Sequence, residues 1–388
     1  MKYYLMNKNE RLVSFETDIQ YGVTVIKNEI NLSSKLPIGY SDIGTWIENR
    51  NYAKHKEHMK TWLKEWGIDT TDGFLQITHA LGVNDSFWIK AQDSELLWEN
   101  VNLYNNEFTD IACTTAFETG LFGLQLSTTT PEFTTDGTFP KCWVKDAQGI
   151  HILKQGLSGA SNVGLEPYCE YISSNIGNAI FEDVVRYDLI KYKGKLCSQC
   201  DLFTSESVGY VPFGKTIDTN KYYLIPQLIQ YFENYDEKNK TSFGQKFRIM
   251  IVLDSIIFNH DRHLNNFGFL FDNDSLEIKE FAPLFDFNFS FLCSLTMEDL
   301  KDYRESLVKY NIGHKLGGDF EVVGKEIITP EIRSMLPATV DIPKHSHYNM
   351  EAERVRILED IFYENYRNVR NGKNVMINNE RLRKHNSR

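Results

Sequence analysis

Phe258-Asn259-His260-Asp261-Arg262-His263-Leu264-Asn265-Asn266-Phe267-Gly268-Phe269-Leu270 is the stretch that decides the reading of this chain. It places the carboxylate of Asp261 five positions ahead of the carboxamide of Asn266, and a second carboxylate, Asp286, follows in Ala282-Pro283-Leu284-Phe285-Asp286-Phe287-Asn288. Apolar runs flank both segments. A carboxylate so placed can accept the proton of an attacking hydroxyl, while Asn266 and Asp286 are hard oxygen ligands of the kind that hold Mg²⁺ against the phosphates of a nucleotide. The spacing therefore points to phosphoryl transfer, with Asp261, Asn266 and Asp286 as its catalytic residues and Asn266 and Asp286 as metal ligands.

The chain upstream contains the other parts that such chemistry needs, in order. A hydroxyl-rich stretch, Thr128 to Lys141, holds Gly137 and Thr138 and leads into an apolar run. Its backbone N–H groups can face phosphate oxygens, with Lys141 adding charge. The next run, Gly149-Ile150-His151-Ile152-Leu153-Lys154, ends on a lysine placed like the strand lysine that reaches a nucleotide's phosphates in protein kinases. Pro167 marks a helix start, and on that helix Glu170 is the first choice as ion-pair partner of Lys154. Glu166 fits the first turn, where the helix dipole favours a carboxylate for structural reasons.

Residues 181 to 206 read as an antiparallel hairpin turning at Lys191 to Lys195. The segment leaving it, with Leu202 and Phe203, is the expected adenine-receiving hinge. Helices follow at 224–232 and 243–258. Asn273-Asp274 then marks a turn between short apolar segments, which puts the site on a strand-turn-strand. His263 reads as a residue that holds the loop rather than as an acid or ligand.

The rest of the chain carries less chemistry. Residues 1 to 32 alternate apolar and polar as strands do. Ser41 to Trp66 and Thr70 to Leu81 read as helices, the former with Gly67 as C-cap, and Asn84 to Ile89 returns to an extended form. Residues 1–126 thus form an α+β subdomain with a structural or partner-binding role. From Arg367 the tail holds seven Lys or Arg against one Glu and reads as a solvated basic end.

A length of 388 residues calls for two or three compact units. The net charge of −11 argues against a general nucleic-acid coat, so direct nucleic-acid binding is not expected. No signal-peptide core and no apolar run of membrane-spanning length appear, which leads to the expectation of a cytoplasmic protein with no membrane contact. The six cysteines are scattered, and Cys197-Ser198-Gln199-Cys200 reads as two thiols in a strand rather than half a zinc site.

Asn259-His260-Asp261-Arg262-His263-Leu264-Asn265-Asn266, followed by Ala282-Pro283-Leu284-Phe285-Asp286-Phe287, resembles the HipA-type kinases over about residues 130 to 290. Their catalytic loop has the form N-x-D-x-H-x-x-N, and their later motif sets an aromatic residue between Pro and Asp. The resemblance implies a protein-kinase-like α+β fold of two lobes, with 127–205 as a β-rich lobe and 206–388 as a mainly helical one. It implies Asp261 as base, Asn266 and Asp286 as Mg²⁺ ligands and Lys154 as the ATP lysine. It also implies a protein substrate with a Ser or Thr acceptor and, for members that act as toxins, an antitoxin partner. One departure stands out: Asp136-Gly137-Thr138-Phe139-Pro140-Lys141 offers a Thr where the family's phosphate loop has an autophosphorylated Ser. A lipid or small-molecule kinase, and a nucleotide-binding pseudokinase acting by partner contact, are the rival readings. Phosphoinositide-type kinases share the Asp-Arg-His-x-x-Asn core.

Overall fold

A computed structural model describes residues 1–21, 23–50, 70–108, 141–157 and 164–372. The chain divides into two compact units. The first comprises Met1–Lys154, Asp201–Val211 and Phe269–Lys279, and the second Gln155–Cys200, Pro212–Gly268 and Glu280–Arg388. The expected break at 126/127 lies outside the described residues. The one at 205/206 falls inside Asp201–Val211, because that segment and Phe269–Lys279 return to the first unit.

In the first unit, β1 (Lys2–Asn7), β2 (Glu10–Gln20), β3 (Val23–Asn31) and β4 (Phe87–Ala91) form one antiparallel sheet in the order β3-β2-β1-β4. The alternation read from the sequence is real here: Leu5 and Val13 pair across β1 and β2 and are fully buried. Helix α1 spans Ile43–Arg50, and α2 spans Thr71–Thr78. Thr70 caps α2 by accepting the Gly73 N–H, and His79 and Ala80 end it in the left-handed region, earlier than Leu81. The helix expected around Met59 to Trp66 lies outside the described residues. After β4 comes the single turn α3 (Trp98–Val101). Met6, Leu81, Val83, Trp88, Trp98 and Leu103 form a buried cluster, on which Leu202 packs.

Strands β5 (Lys141–Asp146) and β6 (Gly149–Gln155) make a hairpin in which Lys141 faces Lys154 and Asp146 faces Gly149. Most of β9 (Val208–Pro212), β10 (Gly268–Asp272) and β11 (Ile278–Phe281) completes this unit as a three-stranded sheet. Asn273, in the β10–β11 turn, donates to the Ser205 and Glu206 carbonyls, and its own carbonyl accepts from Asn7.

The second unit is mainly helical. It opens with α4 (Glu166–Ile180), with Pro167 in its first turn, and the hairpin β7 (Tyr187–Tyr192) and β8 (Lys195–Asp201). Lys193 and Gly194 both have positive φ, the two-residue turn whose twist suits a hairpin. Strand β7 starts later than the apolar pattern suggests: Asp183 has a φ of 61°, and Val184 bridges instead to Leu284. Cys197 and Cys200 are buried, and three positions apart on β8 they project to opposite faces.

Helices α5 (Ile225–Asn239) and α6 (Phe243–Ile257) follow. Then come α7 (Met297–Lys301), α8 (Tyr303–Lys309), α9 (Phe320–Ile327), α10 (Pro330–Met335) and α11 (Ala352–Arg370). The core helix α6 packs against α9 and α11. Close approach requires Gly324, where a Cβ would stand 2.9 Å from the Ser255 Cβ and 3.0 Å from the Val369 methyls. Asn365 on α11 donates to the Ser255 and Ile256 carbonyls. Phe213, Phe232, Phe247, Phe267 and Phe281 stack into one aromatic cluster. The basic tail beyond Gly372 lies outside the described residues.

Candidate active site

The loop after α6 is shaped by one buried ion pair. Asp254, fully buried near the end of α6, accepts from Arg262 Nε at 2.9 Å and Nη2 at 3.1 Å, and from Asn259 Nδ2 at 2.8 Å. Arg262 Nη1 donates to the Asn266 carbonyl at 2.6 Å and to the Phe285 carbonyl at 2.5 Å. The guanidinium also lies over the Phe287 ring, 5.4 Å from its centroid. One planar cation thus ties three things together: the end of α6, the loop that carries Asp261 and Asn266, and the segment that carries Asp286. An arginine fork suits this role because its donors are rigidly spaced.

Within that frame the side chains have distinct fates. Asn266 is nearly buried, and its Nδ2 donates to the Asp261 carbonyl at 3.0 Å, which commits the amide nitrogen and leaves Oδ1 as the acceptor end of the side chain. The Asp261 carboxylate takes no hydrogen bond from the described residues, and burial pushes its pKa up. Asp286 adds to that push, while His263 and Lys315 oppose it. Asp286 sits in the left-handed region at φ 63°, which an aspartate tolerates better than most residues, and Tyr187 Oη lies 3.3 Å from its backbone nitrogen. His263 Nδ1 accepts the Asn265 N–H and its carbonyl accepts the Asn266 N–H, so this side chain holds the loop. His260 lies against Phe289 with the rings tilted by 50°, and burial lowers its pKa to about 4, which keeps it neutral.

Two carboxylates close enough that Asp286 raises the proton affinity of Asp261, beside an amide oxygen, suit a divalent cation that shares its shell with phosphate and water. Asn266 Oδ1 and the Asp286 carboxylate are the residues that would hold it. Among the described residues no three His, Cys, Asp or Glu side chains gather into a metal-binding group.

Glu170 is buried on α4 and accepts a hydrogen bond from Ser198 Oγ on β8. Glu166, also buried, accepts from the Gly164 N–H at 3.0 Å and the Leu157 N–H at 3.3 Å, the structural role expected of a first-turn carboxylate. Gly156 fits that corner because a Cβ would stand 2.6 Å from Glu166 Oε2. Lys141 and Lys154 belong to the first unit, opposite each other across β5 and β6, so both side chains rise from one face of the hairpin.

Leu202 and Phe203 are also in the first unit. The Leu202 N–H donates to the Ile150 carbonyl at 2.8 Å, and Phe203 meets Tyr210 edge to face. Next to this segment His151 is set between Asp201, 2.7 Å from Nδ1, and Asp146, 3.2 Å from Nε2. Gly137 and Thr138 lie outside the described residues.

Sequence reasoning passed over Asp254, the clamping role of Arg262, and Lys315. The first had a visible signal: a lone acid inside the apolar run Met250-Ile251-Val252-Leu253-Asp254-Ser255-Ile256-Ile257 must be paired if the helix is buried. Lys315 sits in a loop anchored by the buried His314, whose Nε2 lies 2.8 Å from Ser255 Oγ, and nothing local in the sequence marks that placement.

No protein-family description matches the chain, and no curated protein matches it. Among solved structures, the chain is similar to the Helicobacter pylori proinflammatory kinase CtkA at 16% identity, covering 66% of this chain and 94% of that one, with a TM-score of 0.44. It is also similar to the toxin–antitoxin protein HipA of Shewanella oneidensis MR-1, solved with HipB and its operator DNA. That match has 10% identity, 95% and 97% coverage, and a TM-score of 0.48.

Proposed function

We propose that this chain is an ATP- and Mg²⁺-dependent phosphotransferase of the HipA-like class that moves the γ-phosphoryl group to a Ser or Thr hydroxyl of a protein. The observation that carries the reading is the Arg262 clamp, which gathers Asp261, Asn266 and Asp286 from a loop and a later segment. In this reading Asp261 orients the acceptor hydroxyl and takes its proton. Its carboxylate is left without hydrogen-bond donors among the described residues, and its proton affinity is raised toward the range useful for a base. Asn266 Oδ1 and Asp286 hold the metal, which supplies charge to offset the phosphates in flight.

Lys154 and Lys141, side by side on one hairpin face, are the proposed phosphate cations, Glu170 the partner of Lys154, and Gly137 and Thr138 the phosphate loop. The 201–204 segment is the proposed adenine hinge. Division into a β-rich and a helical lobe belongs to the same proposal. A protein acceptor and an antitoxin partner rest on the catalytic-loop motif alone.

Titration calorimetry with ATP tests the metal assignment. Binding should tighten on adding Mg²⁺ in the parent protein and lose that dependence in Asn266→Ala and Asp286→Asn. Equal Mg²⁺ dependence in all three proteins would remove these residues from the metal site.

A further inference from the structure

On the second unit, α4 and the N-terminal half of α11 are spanned by the strap 342–350, and together they line a cavity of about 310 Å³. Tyr168, Tyr171 and Ile172 form its α4 wall; at spacings of three and four they share one helix face. The strap is held rather than loose. His345 Nδ1 accepts the backbone N–H groups of His347 at 3.1 Å and Tyr348 at 3.0 Å, which leaves Nε2 to face Asp188 Oδ1 at 3.2 Å. The same ring meets Tyr171 edge to face and stacks on Tyr348 at 9°, so two of the cavity's tyrosines are fixed by one histidine.

The polar groups at the rim carry a sign. Lys344 and Arg356 both line the cavity, both are exposed, and neither makes an ion pair or hydrogen bond among the described residues. Glu359 is the single acid in the lining, against those two cations, in a chain whose overall charge is −11. The Tyr168, Tyr171 and Tyr348 hydroxyls likewise make no hydrogen bond to other described residues, so they are donors open to a ligand. Aromatic walls with a few convergent polar groups are the usual makeup of a small-molecule site, and this volume is near the lower end of the common range of about 300–1,000 Å³.

We propose that this cavity is a binding site for a small planar aromatic anion, with its ring against Tyr168 and Tyr171 on the α4 wall and its carboxylate, sulfonate or phosphate group at Lys344 and Arg356. The rings supply apolar contact area and edge-to-face geometry, and the two cations supply charge-assisted hydrogen bonds. None of the residues that line the cavity is assigned to phosphoryl transfer, so each reading can fail without the other.

The test uses the full chain and two fluorescent probes of one shape, anilinonaphthalene sulfonate and the uncharged N-phenylnaphthylamine. The parent protein should bind the anionic probe at one saturable site. Arg356→Glu and Lys344→Glu, at exposed positions where folding is checked by far-UV circular dichroism, should each weaken the anionic probe by about tenfold, the loss expected for one charge-assisted contact. The uncharged probe should keep its affinity. Ala352→Trp, which adds an indole at the exposed edge of the cavity, should weaken both. Absence of saturable binding, survival of binding in Ala352→Trp, or equal response of both probes to charge reversal would each overturn the proposal.

Discussion

Removing either half of the Asp254–Arg262 pair should destabilise the second unit far more than removing both. In Arg262→Met the Asp254 carboxylate, fully buried, keeps only the Asn259 amide, and the Asn266 and Phe285 carbonyls each lose a donor. Stranding a buried charge costs about 3–5 kcal/mol, and each orphaned carbonyl adds roughly 1 kcal/mol, so a loss of about 5 kcal/mol is expected. Asp254→Leu strands the guanidinium but leaves its two carbonyl contacts, for a loss of about 4 kcal/mol by the same reasoning. The double variant carries no buried charge and keeps mainly the cost of the two orphaned carbonyls, about 2 kcal/mol, so the coupling in the cycle is about 7 kcal/mol. Because the chain has two units, a single global unfolding curve is the wrong readout. Native-state hydrogen exchange of α6 amides in low denaturant reads the second unit alone. Additive losses, or a single-variant loss below about 1 kcal/mol, would refute the claim that this pair is what holds the loop. Activity offers a second check: the double variant should stay inactive although stable, since the carbonyl contacts that position Asn266 and Asp286 remain broken.

Asp261→Asn should abolish phosphoryl transfer, by about 10²–10⁴-fold, while stabilising the fold at neutral pH. Burial raises the carboxyl's pKa, so ionisation costs stability at any pH above its ordinary range, and that gain from Asn should vanish at lower pH; parallel melts at acid and neutral pH check it. His314 runs the other way. Its pKa is lowered to about 4 by burial, so the stability it contributes is present above about 6.5 and is lost as pH falls toward 4, amounting to about 3 kcal/mol at that pH. His314→Asn should flatten the acid limb of the second unit's unfolding, followed by hydrogen exchange. Gly324→Val should cost about 1–3 kcal/mol by forcing α9 away from Ser255 and Val369, read as faster exchange along α6 and α11.

The site was legible where its chemistry is local. Asp261 and Asn266 stand in one loop, and their spacing alone is enough to propose a role for each. The β7–β8 hairpin was legible for the same reason, since Lys193-Gly194 fixes the turn and with it the register from Tyr192↔Lys195 back to Tyr187↔Cys200. What could not be read is what depends on partners distant in the chain. Asp254 looks like an interruption of an apolar helix until Arg262 is seen to reach back to it. The first unit's claim on β9 to β11 rests on pairings such as the Asn7 amide with the Asn273 carbonyl, 266 positions apart, which no local pattern announces. Strand β7 began late because Val184 bridges to Leu284, another non-local choice that overrode a good apolar alternation.

Transfer of radiolabelled γ-phosphate from ATP, with Mg²⁺ and the full chain in the presence of its own cell lysate, tests the central claim most directly. The account predicts label on a Ser or Thr of a protein acceptor or of the chain itself, dependent on Mg²⁺ and lost in Asp261→Asn and Asp286→Asn. Undiminished transfer in Asp261→Asn, label confined to lipid, or tight ATP binding with no transfer to any acceptor would contradict it.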